Sequence, residues 1–409
     1  MKYQPVNLVN VFLDFGAGKE KLGRLALSNR RIYFEYDPDF LNRKIEISPF
    51  KLPVKPGAIP CDDVVFEGLF GVFNDSLPDG WGRLLLDRQV RGHGIAPELL
   101  TPLDRLTHVS QFGMGALVYE PDVSEKSSAE GAIQLDKLAA EAQEVLEGES
   151  GDVFAELLEL SGSSAGARPK IMVGISKDKK RIIHGQQELP KGYSHWMVKF
   201  ASGSDQKDIG AIEYAYSLMA RAAGLEMMPT HLFPAKKGNG YFGVQRFDRI
   251  DGTRQHMHTI CGLLHAEHRM PSIDYESIMR ATLTLTRNVQ EVEKILYMAA
   301  FNAFAHNRDD HAKNFSFLMD SKGNWSVAPA YDLTFSGGPG GEHSTTIMGE
   351  GRAPGKEHLL KLAEKFSVPK NDAASIIDEV CAAVNNWPAF AEQAGVTKAS
   401  TKLIADVIN

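Results

Sequence analysis

His306-Asn-Arg-Asp-Asp-His-Ala-Lys-Asn314, followed after a short gap by Tyr331-Asp332, is the stretch that decides the fold. It combines a carboxylate that can act as a base, basic side chains and an Asn at fixed spacing. A phosphoryl-transfer site needs an Asp that orients the attacking hydroxyl, and then an Asn and an Asp that hold magnesium. Such short strings also occur by chance, so the remaining parts must come from elsewhere in the chain.

The composition is that of a globular protein with two or three structural units. The chain has 409 residues, of which 43% are hydrophobic and 24% are charged. The net charge of −7 argues against extended direct contact with nucleic acid. Three distant cysteines, Cys61, Cys261 and Cys381, form no CxxC pair and are expected to be reduced thiols. Without a signal-peptide pattern or a membrane-length apolar run, we expect a cytoplasmic protein that contacts no membrane.

The apolar patterns and the composition along the chain predict three regions: a β-rich subdomain at 1–125, a mixed α/β lobe at 126–255 and a helical lobe at 256–409. In the first region, short apolar runs predict strands, and Asp79 is a suitable N-cap for a helix. Residues 123–152 are rich in Ser, Glu, Ala and Gly and mark a boundary. The elements predicted here are strands at Val6–Phe15, Leu22–Leu27 and Arg31–Tyr36, and helices at Gly80–Val90 and Leu135–Leu146.

From residue 150 onward, strands alternate with one helix, and helices dominate after 275. The predicted strands are Ile171–Ile175, His195–Phe200 and Tyr241–Gln245, and apolar spacing predicts a helix at Ile212–Ala223. Further helices are predicted at Tyr275–Leu285, Val289–Asn307, His358–Phe366, Asp372–Gln393 and Lys398–Val407. The fold class predicted is therefore α+β, bilobal and protein-kinase-like.

Two features of the middle region fit a nucleotide site. Ser161–Lys170 is a loop of small residues, which lets backbone amides approach phosphates closely. It is neither a Walker A nor a dinucleotide fingerprint, and alone it could be a plain turn. Lys199 lies inside an apolar strand, where an unpaired ammonium is costly. ATP phosphates are its expected partner, with Glu213 on the next helix as a second candidate and an edge position in solvent as the alternative.

Gln245-Arg-Phe247 follows the next predicted strand and could line an adenine pocket, with Phe247 against the ring. Core packing for the Phe and surface ion pairs for Arg246, Asp248 and Arg249 are the plainer alternative. Among the acidic residues, adjacent Asp309 and Asp310 point in different directions, so one of them at most can face a reacting hydroxyl.

Asn314 and Asp332 carry oxygen ligands that suit magnesium, and His311 and Lys313 could contact phosphate. Glycoside hydrolysis by two carboxylates is a weaker reading, because it leaves the loop, Lys199 and the Asn unexplained. A metal site in the His-rich segment is a further alternative, but the spacing of the histidines is not that of HExxH. A polar loop near the substrate groove explains the segment better. That segment comprises His256, His258, His265, Glu267 and His268.

With these parts in order, the chain resembles the HipA family of serine/threonine kinases, the toxins of HipBA toxin–antitoxin systems. The resemblance covers nearly the whole chain. It is carried by Phe73–Asp79 and Phe112–Ala116 in the N-terminal region, and by Ser163–Lys170, Arg246–Arg249, Asp309–Asn314 and Tyr331–Asp332 in the remainder.

The resemblance implies a set of site residues. Asp309 is then the general base, Asn314 and Asp332 hold Mg²⁺, and Lys199 contacts the α- and β-phosphates of ATP. Ser163 aligns with the family's autophosphorylated serine, and a phosphate there would repel the ATP phosphates and eject the loop. The loop residues that cover the phosphates are Ala165, Gly166, Ala167, Arg168, Pro169 and Lys170, and those that line the adenine pocket are Gln245, Arg246 and Phe247.

The resemblance also implies partners: a protein substrate such as an aminoacyl-tRNA synthetase, whose modification stalls translation and favours dormancy, and a HipB-like helix-turn-helix antitoxin. DNA would be contacted only through that antitoxin. Asp310, where many relatives have Gly, leaves the base open between Asp309 and Asp310. Ser161 and Ser164 leave the modified serine open. The alternative functions are a regulatory co-repressor with a degenerate ATP site and a kinase of small molecules.

Overall fold

The computed structural model of the chain describes residues 3–124, 132–148, 154–161, 166–185, 188–203, 205–267 and 273–408. The strands in these ranges are β1 (Leu8–Asp14), β2 (Lys19–Ser28), β3 (Arg31–Tyr36), β4 (Ile59–Pro60), β5 (Leu117–Glu120), β6 (Lys170–Ser176), β7 (Ile182–His184), β8 (Tyr193–Lys199), β9 (Thr230–Phe233), β10 (Tyr241–Gln245), β11 (Arg249–Ile250), β12 (Thr253–Arg254), β13 (His256–Thr259), β14 (Ile273–Asp274), β15 (Ser316–Met319), β16 (Trp325–Val327) and β17 (Thr345–Thr346).

The helices in the same ranges are α1 (Pro38–Leu41), α2 (Gly71–Asn74), α3 (Gly80–Gly92), α4 (Pro102–Val109), α5 (Leu135–Glu147), α6 (Phe154–Ser161), α7 (Ile209–Ala222), α8 (Ile260–Leu264), α9 (Tyr275–Thr286), α10 (Val289–Phe304), α11 (Lys356–Lys365), α12 (Lys370–Asn385), α13 (Trp387–Ala394) and α14 (Lys398–Ile408).

The N-terminal region is built on an antiparallel sheet of order β4-β3-β2-β1-β5. Alternate residues of β1, namely Val9, Val11 and Leu13, are buried, which is the period of two expected for a strand with one face on a core. The sequence prediction of three strands here agrees with β1, β2 and β3. The short strands β4 and β5 that complete the sheet carry weaker patterns.

A second antiparallel sheet, of order β7-β6-β8-β10-β9, forms the central lobe. Its two faces differ in chemistry because successive residues of a strand point to opposite sides. On β8, Trp196 and Val198 are fully buried in a core that also contains residues of α5 and α6. Met197 and Lys199 alternate with them and line a cleft on the opposite face.

The C-terminal region contains a small sheet of order β13-β15-β16 beside a group of helices. The decisive stretch of sequence forms a 3₁₀ turn at Ala312–Asn314 immediately before β15, and Asp332 follows β16. Because β15 and β16 pair as an antiparallel hairpin, Asn314 and Asp332 return to the same end of it. Both residues line the cleft that the central sheet faces.

One continuous hydrophobic core joins the N-terminal sheet to the C-terminal helices. It runs from β1 and β3 through α2 and α8 to α10 and α12, whereas the central sheet packs in a separate core with α3. The N-terminal region is therefore fastened to both lobes that border the cleft. No helix in the described parts of the chain is both long and apolar enough to cross a bilayer.

Two predictions made from the sequence, one in the C-terminal region and one in the central lobe, need correction. The helix predicted at Asp372–Gln393 is two helices, α12 and α13, which meet at Asn386 with Pro388 in the first turn of the second helix. Proline has no amide hydrogen and is favoured in the first turn, so it starts α13 rather than continuing α12. Ser161 does not belong to the loop, since it is the last residue of α6, and Lys170 is the first residue of β6.

Helices α2 and α8 approach closely at two glycines, Gly71 and Gly262. A Cβ at Gly71 would collide with the backbone of Gly262. We expect Gly71→Ala to lower the free energy of unfolding by about 1–3 kcal/mol, since backbone must move to admit a methyl group. Urea unfolding measures this. The control is Gly92→Ala at the end of α3, where no atom lies near the added Cβ. This change should be neutral or slightly stabilising. Equal changes in the unfolding free energy of the two variants would contradict the close contact.

Candidate nucleotide site

The centre of the cleft is the ammonium group of Lys199, on the last residue of β8. It donates to Oε1 of Glu213 on α7, and to Oδ1 of Asp332 at 2.6 Å. Lys199 is 8% exposed and Glu213 2% exposed. A buried lysine is tolerated because two carboxylates flank it, and one lysine thereby joins the central sheet, α7 and the C-terminal region.

The charges of this group hold one another ionised. Burial alone would lower the pKa of Lys199, but Asp332 and Glu213 outweigh it and raise that pKa above its ordinary value. Burial would likewise raise the pKa of Asp332, but Lys199 and Lys170 bring it far below its ordinary range. Asp332 is therefore a carboxylate at every physiological pH.

Lys170 lies opposite Lys199 on the neighbouring strand β6. It is 3% exposed, and a Cβ at Gly166 would contact its Nζ, so the amine lies directly beneath the loop. Burial, reinforced by the charge of Lys199, lowers the pKa of Lys170 to about 8. This amine titrates just above neutral pH, unlike Lys199.

The adjacent carboxylates Asp309 and Asp310 occupy different environments. Asp310 has no exposed surface, and its carboxylate accepts hydrogen bonds from Tyr275 Oη at 3.3 Å and from the amide of Thr345 at 3.2 Å, with His343 Nδ1 at 3.1 Å. Asp310 therefore fixes the turn to the protein interior through these bonds. The side chain of Asp309 is 58% exposed and faces out of the turn.

The surroundings of Asp309 favour the protonated form of its carboxyl group more than bulk water does. Partial burial and the nearby carboxylate of Asp332 raise its pKa, while His311 and Arg168 lower it to a smaller degree. The net shift is upward. Such a carboxylate is a better proton acceptor at neutral pH than a fully solvated one, although its exposure to water limits the effect.

The turn that carries Asn314 is held by its own polar groups. Asn314 Nδ2 donates to the carbonyl of Asp309 at 2.7 Å, which leaves the amide oxygen as the ligand atom for a cation. Tyr331 Oη donates to the carbonyl of Lys313 at 2.6 Å. His311 lies on the cleft, with Nε2 4.0 Å from Asp309 Oδ1. Oxygen ligands from Asn314 and Asp332 are the type that Mg²⁺ takes.

The cleft is apolar at one end, where Phe247 packs with Tyr331, Met228 and Met257. Phe247 and Val244 of the central lobe and Tyr331 border this end. Flexible thioether side chains from four separate segments also line it, and they adapt to a flat apolar surface. These methionines are Met114, Met197, Met227, Met228 and Met257.

The Gln245–Arg249 segment connects β10 to the N-terminal region. Asp248 is fully buried and receives bonds from Arg246 at 2.7 and 2.9 Å, from Arg249 at 2.8 Å and from the amide of Gly115 at 2.8 Å. The ion pairs predicted for this segment exist, but they are buried and not at the surface. Gln245, Arg246 and Phe247 all border the cleft, and their assignment to an adenine pocket stays a prediction.

The histidine-rich segment does not form a metal centre among the described residues. Its three described histidines join the N-terminal region to β13 and α8. His256 contacts the carbonyl of Ile47, His258 the carboxylate of Asp75, and His265 that of Asp63. The predicted polar loop at a substrate groove is therefore an interface between regions, and His268 lies outside the described residues.

The loop before β6 is described only from Gly166 onward. Ser163, Ser164 and Ala165 lie outside the described residues, so predictions for them stay predictions. Ser161 is 1% exposed, and its hydroxyl accepts a bond from Trp81 Nε1 at 2.9 Å and donates to the carbonyl of Leu157. In this conformation its hydroxyl is not accessible to a kinase.

The other loop residues are placed as follows. Arg168 bridges to Asp205 at 3.1 Å and lies 3.6 Å from Glu213. The carbonyl of Pro169 accepts from the amide of Phe200 at 2.8 Å. Ala167 is exposed. The second half of the loop therefore lies against the end of β8 that carries Lys199.

Sequence reasoning missed several residues that border the cleft. The methionines come from separate segments and share no linear pattern. The sequence predicted Asp79 as a helix cap and gave Asp75 no role beyond its place in the Phe73–Asp79 motif. In the structure Asp75 borders the cleft, and Asp79 bonds Lys313, a cleft residue. Their presence could not be inferred from spacing, because the N-terminal region reaches the cleft only through tertiary packing.

A strand lysine is paired with a helix glutamate, and an Asp, an Asn and a second Asp lie in the segments that flank the β15–β16 hairpin. This arrangement is that of the kinase-like fold class. The chain belongs to the HipA family, because the family's N-terminal domain model matches residues 13–120 and the HipA-like C-terminal domain model matches residues 162–387. The predicted family and the predicted α+β kinase-like fold are thereby confirmed.

A solved structure of the Shewanella oneidensis toxin–antitoxin system HipA, HipB and its operator DNA contains a similar chain, with a TM-score of 0.69 and 17% identity. The match covers 96% of this chain and 94% of that one. A Sinorhizobium fredii protein named "Putative kinase Y4mE" is 28% identical over 192 residues. That alignment covers 44% of this chain and 39% of the relative, so the chain matches about two fifths of the relative's length.

The buried Asp248 cluster generates a stability prediction. Asp248→Asn should cost about 3–5 kcal/mol at pH 7, because Arg246 and Arg249 lose a buried partner. The two arginines and the Gly115 amide hold the pKa of Asp248 far below its ordinary value. Its contribution is therefore complete at neutral pH and is lost as the pH falls below about 4. Urea unfolding at pH 7 and at pH 3 measures both effects.

The control for this prediction is Asp251→Asn, on an exposed neighbour with a left-handed backbone that Asn accepts. It should leave the unfolding free energy within about 0.5 kcal/mol of wild type. A penalty for Asp248→Asn that is equally large at pH 3 would contradict the electrostatic origin of the effect.

Proposed function

We propose that this chain is an ATP-dependent serine/threonine protein kinase, and that it acts as the toxin of a toxin–antitoxin pair. The observation that carries the proposal is the Lys199 ammonium held between Glu213 and Asp332. That arrangement is what a kinase uses to align the α- and β-phosphates beside the magnesium-binding Asp. A degenerate site would have no reason to keep two buried charges, Lys199 and Glu213, beside the partly exposed Asp332, given the desolvation cost.

The apolar end of the cleft suits adenine, and its charged end suits a triphosphate. Phe247 and the methionines can pack against the ring, while Lys199, Lys170 and Lys313 supply positive charge. Asn314 and Asp332 are the residues that would hold Mg²⁺, which supplies charge neutralisation at the transferring phosphate.

Asp309 is proposed as the base that accepts the proton of the attacking hydroxyl. As the serine or threonine oxygen bonds to the γ-phosphorus, the bond from that phosphorus to the β-phosphate oxygen breaks and ADP leaves. The exposure of Asp309 and its raised pKa support this role. Asp310 is a poor competitor, because its carboxylate is buried and bonded to Tyr275, His343 and Thr345.

Self-modification of the loop is part of the proposal. A phosphate on Ser163 or Ser164 would bring close to two negative charges next to the site for the γ-phosphate. Repulsion would then drive the loop out and silence the enzyme. The burial of Ser161 favours the two later serines.

The cellular role is proposed from the family. The Shewanella oneidensis structure contains HipA with HipB and operator DNA, which supports a HipB-like helix-turn-helix antitoxin as partner here. The net charge of −7 suits DNA contact through that partner and not through this chain. A translation protein such as an aminoacyl-tRNA synthetase is the proposed class of substrate.

Intact mass after incubation with Mg-ATP tests the kinase and its base together. Wild type, starting from a phosphate-free preparation, should gain one phosphate within residues 162–165. Asp309→Asn should slow this gain by about 10²–10⁴-fold, because the hydroxyl loses its proton acceptor. Peptide mapping identifies the serine.

Asp310→Asn is the matched control for that measurement, since it changes the neighbouring carboxylate to the same amide. It should lower the melting temperature but retain phosphate transfer. Transfer that survives Asp309→Asn and disappears in Asp310→Asn would reverse the assignment of the base. A wild type that binds Mg-ATP without any transfer would favour a degenerate regulatory protein.

The pKa of Lys170, lowered to about 8 by burial and Lys199, predicts a pH dependence of ATP affinity. The amine is cationic below this pH and neutral above it, so affinity for Mg-ATP should fall by about 3- to 10-fold between pH 7 and pH 9.5. Calorimetric titration measures it. Lys170→Met should bind more weakly at pH 7 and lose most of the pH dependence; an unchanged dependence would exclude Lys170 as its source.

A further inference from the structure

Asp79 stands at the start of α3 in the N-terminal region, yet its side chain makes no capping bond to that helix. The sequence predicts it as an N-cap, and the backbone does occupy that position. The carboxylate instead reaches the cleft, where Oδ2 accepts from Lys313 Nζ and Oδ1 accepts from the amide of Gly166. One side chain therefore bonds both a cleft lysine and the phosphate loop.

The next two residues hold the same loop by other means. The amide of Trp81 donates to the carbonyl of Gly166 at 3.1 Å, and its indole donates to Ser161 Oγ at 2.9 Å. Gly80 has a positive φ of 43°, and a Cβ there would collide with Gly166. The residues on either side of the undescribed part of the loop are thus both bonded to one short segment of the N-terminal region.

This segment, residues 79–81, is rigid because α3 is anchored in the core of the central lobe. Trp81 and Leu85 are fully or almost fully buried there, with Leu157 and Leu160 of α6 and with Val173 of β6. A carboxylate at the start of such a helix has little freedom to move.

The pair formed by Asp79 and Lys313 is ionised and largely shielded from water. The Lys313 side chain is 8% exposed and that of Asp79 is 22% exposed. Burial would raise the pKa of Asp79, but Lys313 and the Gly166 amide bring it below its ordinary value. A lone ammonium at this depth would be costly, so Asp79 also fixes the charge that Lys313 presents to the cleft.

We propose that Asp79 is a positioning residue of the phosphoryl-transfer site, supplied by the N-terminal region. Its carboxylate sets the Lys313 ammonium and the phosphate loop in their phosphate-binding places together. The proposal rests on the kinase function proposed above. The N-terminal region would then complete the catalytic site, in addition to any part it plays in contacts with partners.

Asp79→Asn and Asp79→Ser in the full chain test this role. Both replacements are good N-cap residues, so α3 itself should keep its cap, although loss of the negative charge beside the buried Lys313 should lower the melting temperature. An Asn or Ser side chain offers one neutral acceptor oxygen, whereas the Asp79 carboxylate uses two charged oxygens, one for Lys313 and one for the Gly166 amide. We expect kcat for transfer to fall about 10- to 100-fold, and the Kd for Mg-ATP to rise by a smaller factor.

A double-variant cycle with Lys313→Met separates positioning from simple fastening of the regions. If Asp79 acts through Lys313, then Asp79→Asn should cost much less in the Lys313→Met background than in wild type. Fully additive losses would overturn the proposal. Gly80→Ala gives a second route, because it displaces Gly166 while Asp79 is intact, and it should raise the Kd for Mg-ATP.

Asp63→Asn is the matched control. Asp63 also joins the N-terminal region to the rest of the chain, through His265 at 2.7 Å, but it does not border the cleft. It should leave kcat and Kd unchanged. Wild-type kinetics in Asp79→Asn, or equal losses in Asp63→Asn, would refute the positioning role.

Hydrogen exchange tests whether Asp79 anchors the loop even if wild type transfers no phosphate. In that case the proposed kinase function fails, but the amide of Gly166 should still exchange faster in Asp79→Ser than in wild type and in Asp63→Asn. Equal exchange in all three proteins would show that Asp79 does not anchor the loop.

Discussion

The structure depends on the bonds that one buried ammonium, Lys199, makes to Glu213 and Asp332. Each of the three groups comes from a different part of the fold: a strand of the central sheet, the helix α7 and the segment after β16. Separating any pair would leave a charge in a poorly solvated place, which is costly. The relative position of the two sides of the cleft is therefore tied to this contact, and the same contact is the part of the site that phosphates and magnesium would use.

The N-terminal region is more than an appendage to this arrangement. It shares a continuous core with the C-terminal helices, and its helix α3 packs in the core of the central lobe. Through Asp75 it bonds Thr259 and His258, and through Asp79 it reaches Lys313. A structural unit that touches both lobes and the charged end of the cleft can influence the chemistry there, which is why its start-of-helix carboxylate merits a catalytic test.

Much of the fold was predictable because local patterns of apolar residues specify the individual strands and helices. Strands β1, β3 and β10 and helices α3 and α7 follow from periods of two and 3.6 in apolar residues. The exceptions have physical causes. A single long helix was predicted where Pro388 starts a new one, and Ser161 was assigned to a loop although burial of its helix places it in α6. The His-rich segment looked like a polar loop, but its histidines bond carboxylates and a carbonyl that lie about 180–210 positions away in the sequence.

The amino-acid sequence was enough to predict the family and the kinase-like class, because motifs along nearly the whole chain resemble those of the family, and it supplied the candidate residues. Only the tertiary structure distinguishes the surroundings of Asp309, which is exposed, from those of Asp310, which is buried, because the two residues are adjacent in sequence and differ in what packs around them. It also brings five methionines to the wall of the cleft and directs the Asp79 side chain to Lys313 instead of to its own helix. Burial and long-range contact set those outcomes, and neither is encoded in local spacing.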